Sequence, residues 1–297
     1  MTNSVSQKIR ASLIRSPVQP QLSLEEERRQ WEDAVRDDVI AEGCSEKAEE
    51  IAGTRCLWLL PDNPQNDDIL LYAHGGGLVT GAIETHRVFC SQIAVALNRT
   101  ILLVGYRRLP EHQATAPRDD FLAVYSLLIN EGTNSDRIAF AGDSSGATVV
   151  LSALVRLREK GTDLPYAAVS LSGAFDTSLS GESFQSRAEV DPVLSPESLI
   201  DWQKHFIGRI DLADPVISPL FAELHNLPPF LLLAGDHELW LSDSVRMAER
   251  LKAQGTDSSL SVYADMWHVW PMWPELPETA KAFLEIDRFL TRTQQLV

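Results

Sequence analysis

Residues 137–161 read RIAFAGDSSGATVVLSALVRLREKG. The stretch opens on an apolar run of the kind that makes a buried strand, crosses a glycine-flanked turn, and continues as a helical pattern that stops at Gly161. Gly142 and Gly146 stand two residues before and two after Ser144, a G-x-S-x-G pattern at a strand-to-helix turn. A turn this tight leaves no room for Cβ atoms on either side of the serine. The strain lifts Ser144 Oγ clear of the sheet and sets it beside a helix N-terminus, where the dipole favours developing negative charge. Ser145 fits less well, because its neighbours two residues away are Asp143 and Ala147. The bare pattern is short enough to occur by chance; the strand before it and the helix after it favour the turn.

Working outward, short runs rich in Val, Ile and Leu recur: RCLWLLP (55–61), ILLYAHG (69–75), TILLVGYR (100–107), YAAVSLSG (166–173), PFLLLAGD (229–236) and LSVYADMWH (260–268). Near-continuous apolar runs suit parallel strands covered on both faces. Helical patterns separate several of them, at 121–132, 146–161, 242–255 and 278–292. The alternation predicts a doubly wound, mostly parallel α/β sheet. Residues 174–225 break it with polar sequence around a helical WQKHFIGR, and read as an insertion folding over the C-terminal edge of the sheet. The first 50 or so residues are charged and read as helical; Ser23 followed by Glu26 has capping-box spacing ahead of LEEERRQWEDAV.

The chain has 297 residues, 26 basic and 42 acidic, for a net charge of −16. That acidity argues against a nucleic-acid partner and against docking on an anionic membrane. No apolar run approaches a membrane span, and the N-terminus lacks the apolar core of a signal peptide, so a cytoplasmic location is expected. Cys44, Cys56 and Cys90 are an odd, widely spaced set. They read as reduced thiols, with neither a disulfide framework nor a CxxC metal site.

A second glycine cluster, Tyr72-Ala73-His74-Gly75-Gly76-Gly77, ends the strand pattern at 69–75. Consecutive glycines let backbone N–H groups approach an oxyanion unobstructed. A GGG alone is commonly just a flexible turn. An HGGG about 70 residues ahead of G-x-S-x-G has the order of α/β-hydrolase lipases and esterases.

Together, YAHGGGLVTG, GYRRLPEHQATAP and GDSSG resemble the hormone-sensitive-lipase family, the bacterial family IV carboxylesterases, over residues 55–295. Tyr106, Arg107, Pro110, Glu111 and His112 resemble the family's YRLAPEH segment. The resemblance implies an α/β-hydrolase fold, a helical cap from about residues 1–50 and 174–225 on a single domain, and Ser144 as nucleophile. It also implies an oxyanion hole of the Gly76, Gly77 and Ser145 N–H groups. Asp214-Pro215 with Ser218-Pro219-Leu220 resembles the segment where the cap returns to the core. The family usually has GDSAGG; Ser145 and Ala147 depart from it here. Because the residue after the nucleophile donates through its backbone, a serine there should be tolerated.

In this fold the order is serine, acid, histidine. Three histidines lie more than about 80 residues beyond Ser144: His225, His237 and His268. His225 falls in the insertion and His237 adjoins the acid segment, which leaves His268, in DMWHVW, as the base. It resembles the family's histidine loop. The acid lies in Gly235–Asp243, GDHELWLSD, where Asp236, Glu238 and Asp243 compete. Aligning Ser242-Asp243-Ser244 with the end of the family's DPLxDD pattern puts Glu238 on the catalytic position and leaves Asp236 as runner-up.

Trp240, Trp267, Trp270 and Trp273 flank the acid and base in sequence. Trp240, Trp267 and Trp270 are candidates for a narrow substrate pocket, against the plain alternative of core packing. The expectation is a serine carboxylesterase for small, neutral, soluble esters, with a Ser144–His268–Glu238 triad and neither cofactor nor metal. A lactonase or deacetylase would use the same triad. A ligand-binding receptor on this fold is disfavoured by His268. A metal hydrolase on His237 and Glu238 lacks the HExxH spacing. Family members often dimerise through an edge strand near the C-terminus, so a homodimer is compatible with the resemblance.

Overall fold

The computed structural model describes residues 5–13, 22–206 and 209–296. In chain order the elements are α1 (Val5–Ser12), α2 (Leu24–Ala34), β1 (Cys44–Ile51), β2 (Thr54–Pro61), β3 (Ile69–Ala73), α3 (Ile83–Leu97), β4 (Thr100–Gly105), α4 (Ala116–Asn130), β5 (Ile138–Asp143), α5 (Ser145–Lys160), β6 (Ala167–Leu171), α6 (Ser183–Ser186), α7 (Pro196–Gln203), β7 (Phe230–Gly235), α8 (Leu241–Ala253), β8 (Ser258–Tyr263) and α9 (Pro277–Gln294).

The strands form one eight-stranded sheet in the order β1-β2-β4-β3-β5-β6-β7-β8. From β4 to β8 every pairing is parallel, while β2 runs antiparallel to both β1 and β4. Side chains alternate between two apolar layers. Leu71, Ala73 and Phe140 pack with α4, α5 and α8, whereas Leu70, Tyr72 and Ala141 pack with α3 and α9. Helices on both faces bury β5, β6 and β7 completely, which is why β5 and β7 carry no polar alternation, while β8, the parallel edge strand, stays partly exposed. The C-terminal ends of β3, β5, β6, β7 and β8 therefore converge at one edge, where a parallel sheet places its site.

Two sequence expectations are corrected. Residues 44–51 are a strand, not part of an N-terminal helical region. Their Glu, Lys and Ala favour helix, and the strand is exposed almost throughout, so no apolar period marks it. What makes it is the two-residue turn at Ala52 and Gly53, with φ of 52° and 75°, a geometry that closes a hairpin onto β2. The 55–61 run is a strand, but an antiparallel one. Elsewhere at the N-terminus α2 is helical, with Ser23 Oγ accepting the Glu26 N–H and the Glu26 carboxylate accepting the Ser23 N–H. Of the remaining expected helical residues, 1–4 and 14–21 lie outside the described residues. In the insertion α7 starts ahead of the WQKHFIGR segment and ends at Gln203, its second residue; residues 207–208 of the segment also lie outside the described residues.

The insertion between β6 and β7 is tied into the sheet layer. Phe206, Ile217, Leu220 and Leu224 join the α4/α5/α8 core, and Phe184, Leu199, Leu239 and Trp240 form a separate apolar cluster against the site edge. On the other side, Arg28 of α2 donates to Val79 O and Leu109 O and pairs with Glu111, fixing α2 beside the glycine loop after β3.

Candidate active site

Ser144 joins β5 to α5 with φ 51° and ψ −123°, a strained conformation for a side-chain-bearing residue. The turn survives because its flanks are glycine: a Cβ on Gly146 would lie 2.0 Å from Ala73 O, and one on Gly142 would lie 2.6 Å from the Gly146 carbonyl carbon. The Ser144 N–H is held by Leu171 O at 2.9 Å, at the end of β6.

His268 comes from the turn after β8. Its Nε2 is 3.0 Å from Ser144 Oγ and its Nδ1 is 3.4 Å from Glu238 Oε2. Glu238 lies beyond β7 and is fully buried; its other oxygen accepts the Gly235 N–H at 3.1 Å. Burial pushes the Glu238 carboxyl above its usual range, and hydrogen bonds with His268 and Ser172 pull the other way. Ser172 Oγ accepts the Val269 N–H at 2.9 Å and so braces the histidine turn. A hydroxyl, imidazole and carboxylate in this line can pass a proton from Oγ to Nε2 while the carboxylate stabilises the resulting imidazolium.

The other carboxylates of the acid segment are engaged elsewhere. Asp236 accepts the Asp265 N–H at 2.7 Å, and Asp243 accepts the N–H groups of Phe175 and Asp176. The His237 Nδ1 meets the Arg10 guanidinium of α1 while Glu238 meets His268, so these neighbours face different partners.

The glycine loop after β3 turns back toward Ser144. Gly76 and Gly77 have φ of 109° and 63°. Gly76 O accepts the Thr80 N–H at 2.7 Å, which turns the Gly77 N–H of the same peptide the opposite way. Among the described residues nothing accepts the N–H of Gly76 or Gly77, and the Ser145 N–H, first in α5, has no acceptor one turn back in its helix. Asp143 locks this loop to β5: its buried carboxylate accepts the Tyr72 hydroxyl at 2.9 Å and the Gly75 N–H at 3.1 Å, and faces His86 Nε2 at 3.3 Å. Burial raises its pKa, but the neighbouring His86 and the Tyr72 hydroxyl outweigh it and hold the carboxyl below its usual value. His74 stacks on Tyr106 at 4.1 Å, and its Nδ1 faces Gly75 O at 2.8 Å, the geometry of an Nδ1–H donor. Burial and the adjacent His86 push its pKa down to about 3.

A sequence-family profile described as the alpha/beta hydrolase fold matches residues 70–272. An acetyl-hydrolase of Streptomyces hygroscopicus is 32% identical over 236 residues, covering 80% of this chain and 79% of its own. An esterase of Acinetobacter venetianus is 31% identical over 225 residues, covering 75% and 74%. A crystal structure of an esterase from the bacterial hormone-sensitive lipase family has a TM-score of 0.93 at 35% identity, covering 99% of this chain and 100% of that one. This chain belongs to the hormone-sensitive-lipase family of carboxylic ester hydrolases.

Within that family frame, the structure brings Ser144, His268 and Glu238 together and ties the Gly76–Gly77 loop to Ser145, next to Ser144, through the Leu78 N–H. It does not bring together the three tryptophans expected at the pocket. Trp240 lies in the apolar cluster beside the site, edge-on to Phe184 at 4.9 Å. Trp267 and Trp270 have no exposed surface and pack with Leu276, Ala282, Phe283 and Ile286 under α9. The turn carrying His268 leaves the sheet edge and runs back against α9, so the residues on either side of the histidine face the core.

Two site residues have no motif to announce them. Trp202, in the insertion, donates its indole N–H to Gly77 O at 2.7 Å. Asp191, also in the insertion and fully buried, accepts the N–H groups of Val193, Leu194 and Leu239. Nothing local marks their place at the site, because the contacts that put them there, to Gly77 and Leu239, are 125 and 48 residues away. Among the described residues, no helix is long and apolar enough to cross a membrane.

Proposed function

We propose that the protein is a serine carboxylesterase for small, soluble esters with a short acyl group. The observation that carries this reading is the continuous line from Ser144 Oγ through His268 to Glu238, at 3.0 and 3.4 Å. Ser144 attacks the ester carbonyl while His268 Nε2 takes its proton. The oxyanion is received by the N–H groups of Gly76, Gly77 and Ser145, aimed in advance at the charge that develops on it. His268 returns the proton to the leaving alcohol, and water repeats the sequence on the acyl-enzyme. Glu238 orients the imidazole and balances its charge.

Residues 174–225, together with the N-terminal helices ahead of β1, serve as a cap over the single catalytic domain. The cluster of Trp202, Trp240 and Phe184 supports a short acyl limit: Trp202 touches the Gly77 loop and lies 6.1 Å from Trp240, edge to face, so bulky rings crowd the space beside the oxyanion donors. The similarity to a relative named as an acetyl-hydrolase supports acetyl esters as substrates within this range.

The test is hydrolysis of chromogenic esters of rising acyl length by wild type and Ser144→Ala. Wild type is expected to turn over acetyl and butyryl esters faster than long-chain ones, and Ser144→Ala to lose turnover while staying folded. Turnover retained by Ser144→Ala would remove the assignment.

A further inference from the structure

We propose that the Ser145 hydroxyl and the Trp202 indole are positioning residues that together hold the peptide group after Gly77, and so pre-set the oxyanion donors before substrate arrives. This rests on the reading of Gly76, Gly77 and Ser145 as those donors.

The atoms concerned belong to a single peptide. Gly77 O accepts the Trp202 Nε1–H at 2.7 Å, and the Leu78 N–H donates to Ser145 Oγ at 3.1 Å. The carbonyl end of the Gly77–Leu78 peptide is thus gripped by α7 of the insertion, and the N–H end by the first residue of α5. The preceding peptide is held within the loop, through Gly76 O and Thr80. The outer grip matters because Gly76 and Gly77 have no side chains to restrict rotation. A glycine pair at positive φ is the least self-supporting backbone available, and an N–H that swings stabilises an oxyanion poorly.

Both restraints are anchored. Ser145 is buried near Tyr106, whose hydroxyl donates to His74 O at 2.6 Å. One hydroxyl therefore holds the end of the glycine loop and a neighbouring one its start. Trp202 is fixed edge-on by Phe206 at 4.8 Å. The indole fits only because residue 77 is glycine: a Cβ there would lie 2.2 Å from Nε1. The hydroxyl at position 145 is a departure from the alanine usual in GDSAGG, and the backbone role of that residue gives no reason for it. The held peptide does.

The discriminating variants are Ser145→Ala, which keeps the backbone N–H, and Trp202→Phe, which keeps the ring and removes only the N–H. Active sites are counted with an organophosphate, and kcat per site and KM are measured on a short-chain chromogenic ester. Inhibition is measured with a boronic acid, which mimics the tetrahedral oxyanion, and with the product carboxylate. Each variant is expected to lose about tenfold in kcat per site, less than the 10²–10³ that follows deletion of a donor, with KM little changed. Boronate affinity is expected to fall in parallel while product affinity holds. The double variant is expected to lose less than the product of the two, since both residues hold one peptide. A merely structural role would lower the melting temperature or the titratable fraction and leave kcat per site alone. If Ser145→Ala gives no titratable protein, Trp202→Phe decides. Wild-type kcat and boronate affinity in these variants, alongside an inactive Ser144→Ala, would overturn this proposal and leave the esterase reading standing; turnover by Ser144→Ala would overturn that reading itself.

Discussion

Asp191 Oδ2 accepts the backbone N–H of Leu239 at 2.9 Å, one residue beyond Glu238. The insertion thereby holds the loop that carries the acid. From the same stretch, Val190 O accepts the Arg10 guanidinium of α1 at 2.5 Å.

Replacing Asp191 by Asn puts an amide donor against one of the three N–H groups that the carboxylate satisfies. A buried backbone donor left without its acceptor costs about 1–3 kcal/mol. We expect Asp191→Asn to lower stability by that amount in urea unfolding and to lower kcat on a short-chain ester, because the acid loop loses its outer support. Unchanged unfolding and kcat would show that the loop holds itself.

Glu238 and Asp236 separate cleanly. Glu238→Gln leaves the fold intact but removes the charge facing His268 Nδ1. In a serine triad this kind of change costs roughly 10²–10⁴ in kcat. Asp236→Asn disturbs only the turn at Asp265 and is expected to change kcat less than about threefold. Steady-state kinetics on the two variants checks the assignment, and the opposite ranking would transfer the acid role to Asp236.

His74 makes stability pH-dependent. Its folded pKa is pushed down to about 3 from the ordinary 6.5, so between those values the unfolded chain binds a proton that the folded chain refuses. Its contribution is therefore complete above about pH 6.5 and is lost as pH falls toward 3, by up to about 1.4 kcal/mol per pH unit. His74→Asn keeps a donor for Gly75 O without a titrating ring. The difference in unfolding free energy between wild type and variant should narrow or reverse as pH falls through that window. A difference independent of pH would contradict a neutral, buried His74.

At the elbow, Gly146→Ala forces a methyl to within 2.0 Å of Ala73 O, which is backbone and cannot step aside. We expect a loss of several kcal/mol, or failure to fold. Gly161→Ala at the C-terminus of α5 meets nothing within 4 Å and costs only the strain of φ 63°. Chemical denaturation of the pair tests whether the elbow glycines are required by contact rather than by conformation.

Legibility along the chain followed the range of the forces involved. Strands β3, β5 and β7 were readable because burial on both faces leaves only apolar residues. Strand β1 was not, because an exposed edge strand has no burial to imprint and its hairpin turn at Ala52-Gly53 is the sole local mark. The competition among Asp236, Glu238 and Asp243 could not be resolved by residue chemistry, since all three are carboxylates within one turn and helix start. Their separation depends on the path of the loop, set by Asp191, Gly235 and the start of α8. Trp267 and Trp270 misled for the converse reason: adjacency to His268 in sequence does not say which way a side chain faces.

Local steric demands and the order of motifs belong to the sequence alone. The Gly142–Gly146 pair dictates the elbow at Ser144, the alternation of apolar runs and helices dictates a doubly wound sheet, and HGGG marks a backbone free to offer its N–H groups. These follow from excluded volume and burial, which act over a few residues. Tertiary structure decided the rest: that Glu238 faces His268, that Trp267 and Trp270 are core, and that Ser145 and Trp202 close on one peptide from two helices. Each of these is a contact between residues of different elements, and the direction a side chain takes between elements is determined by packing.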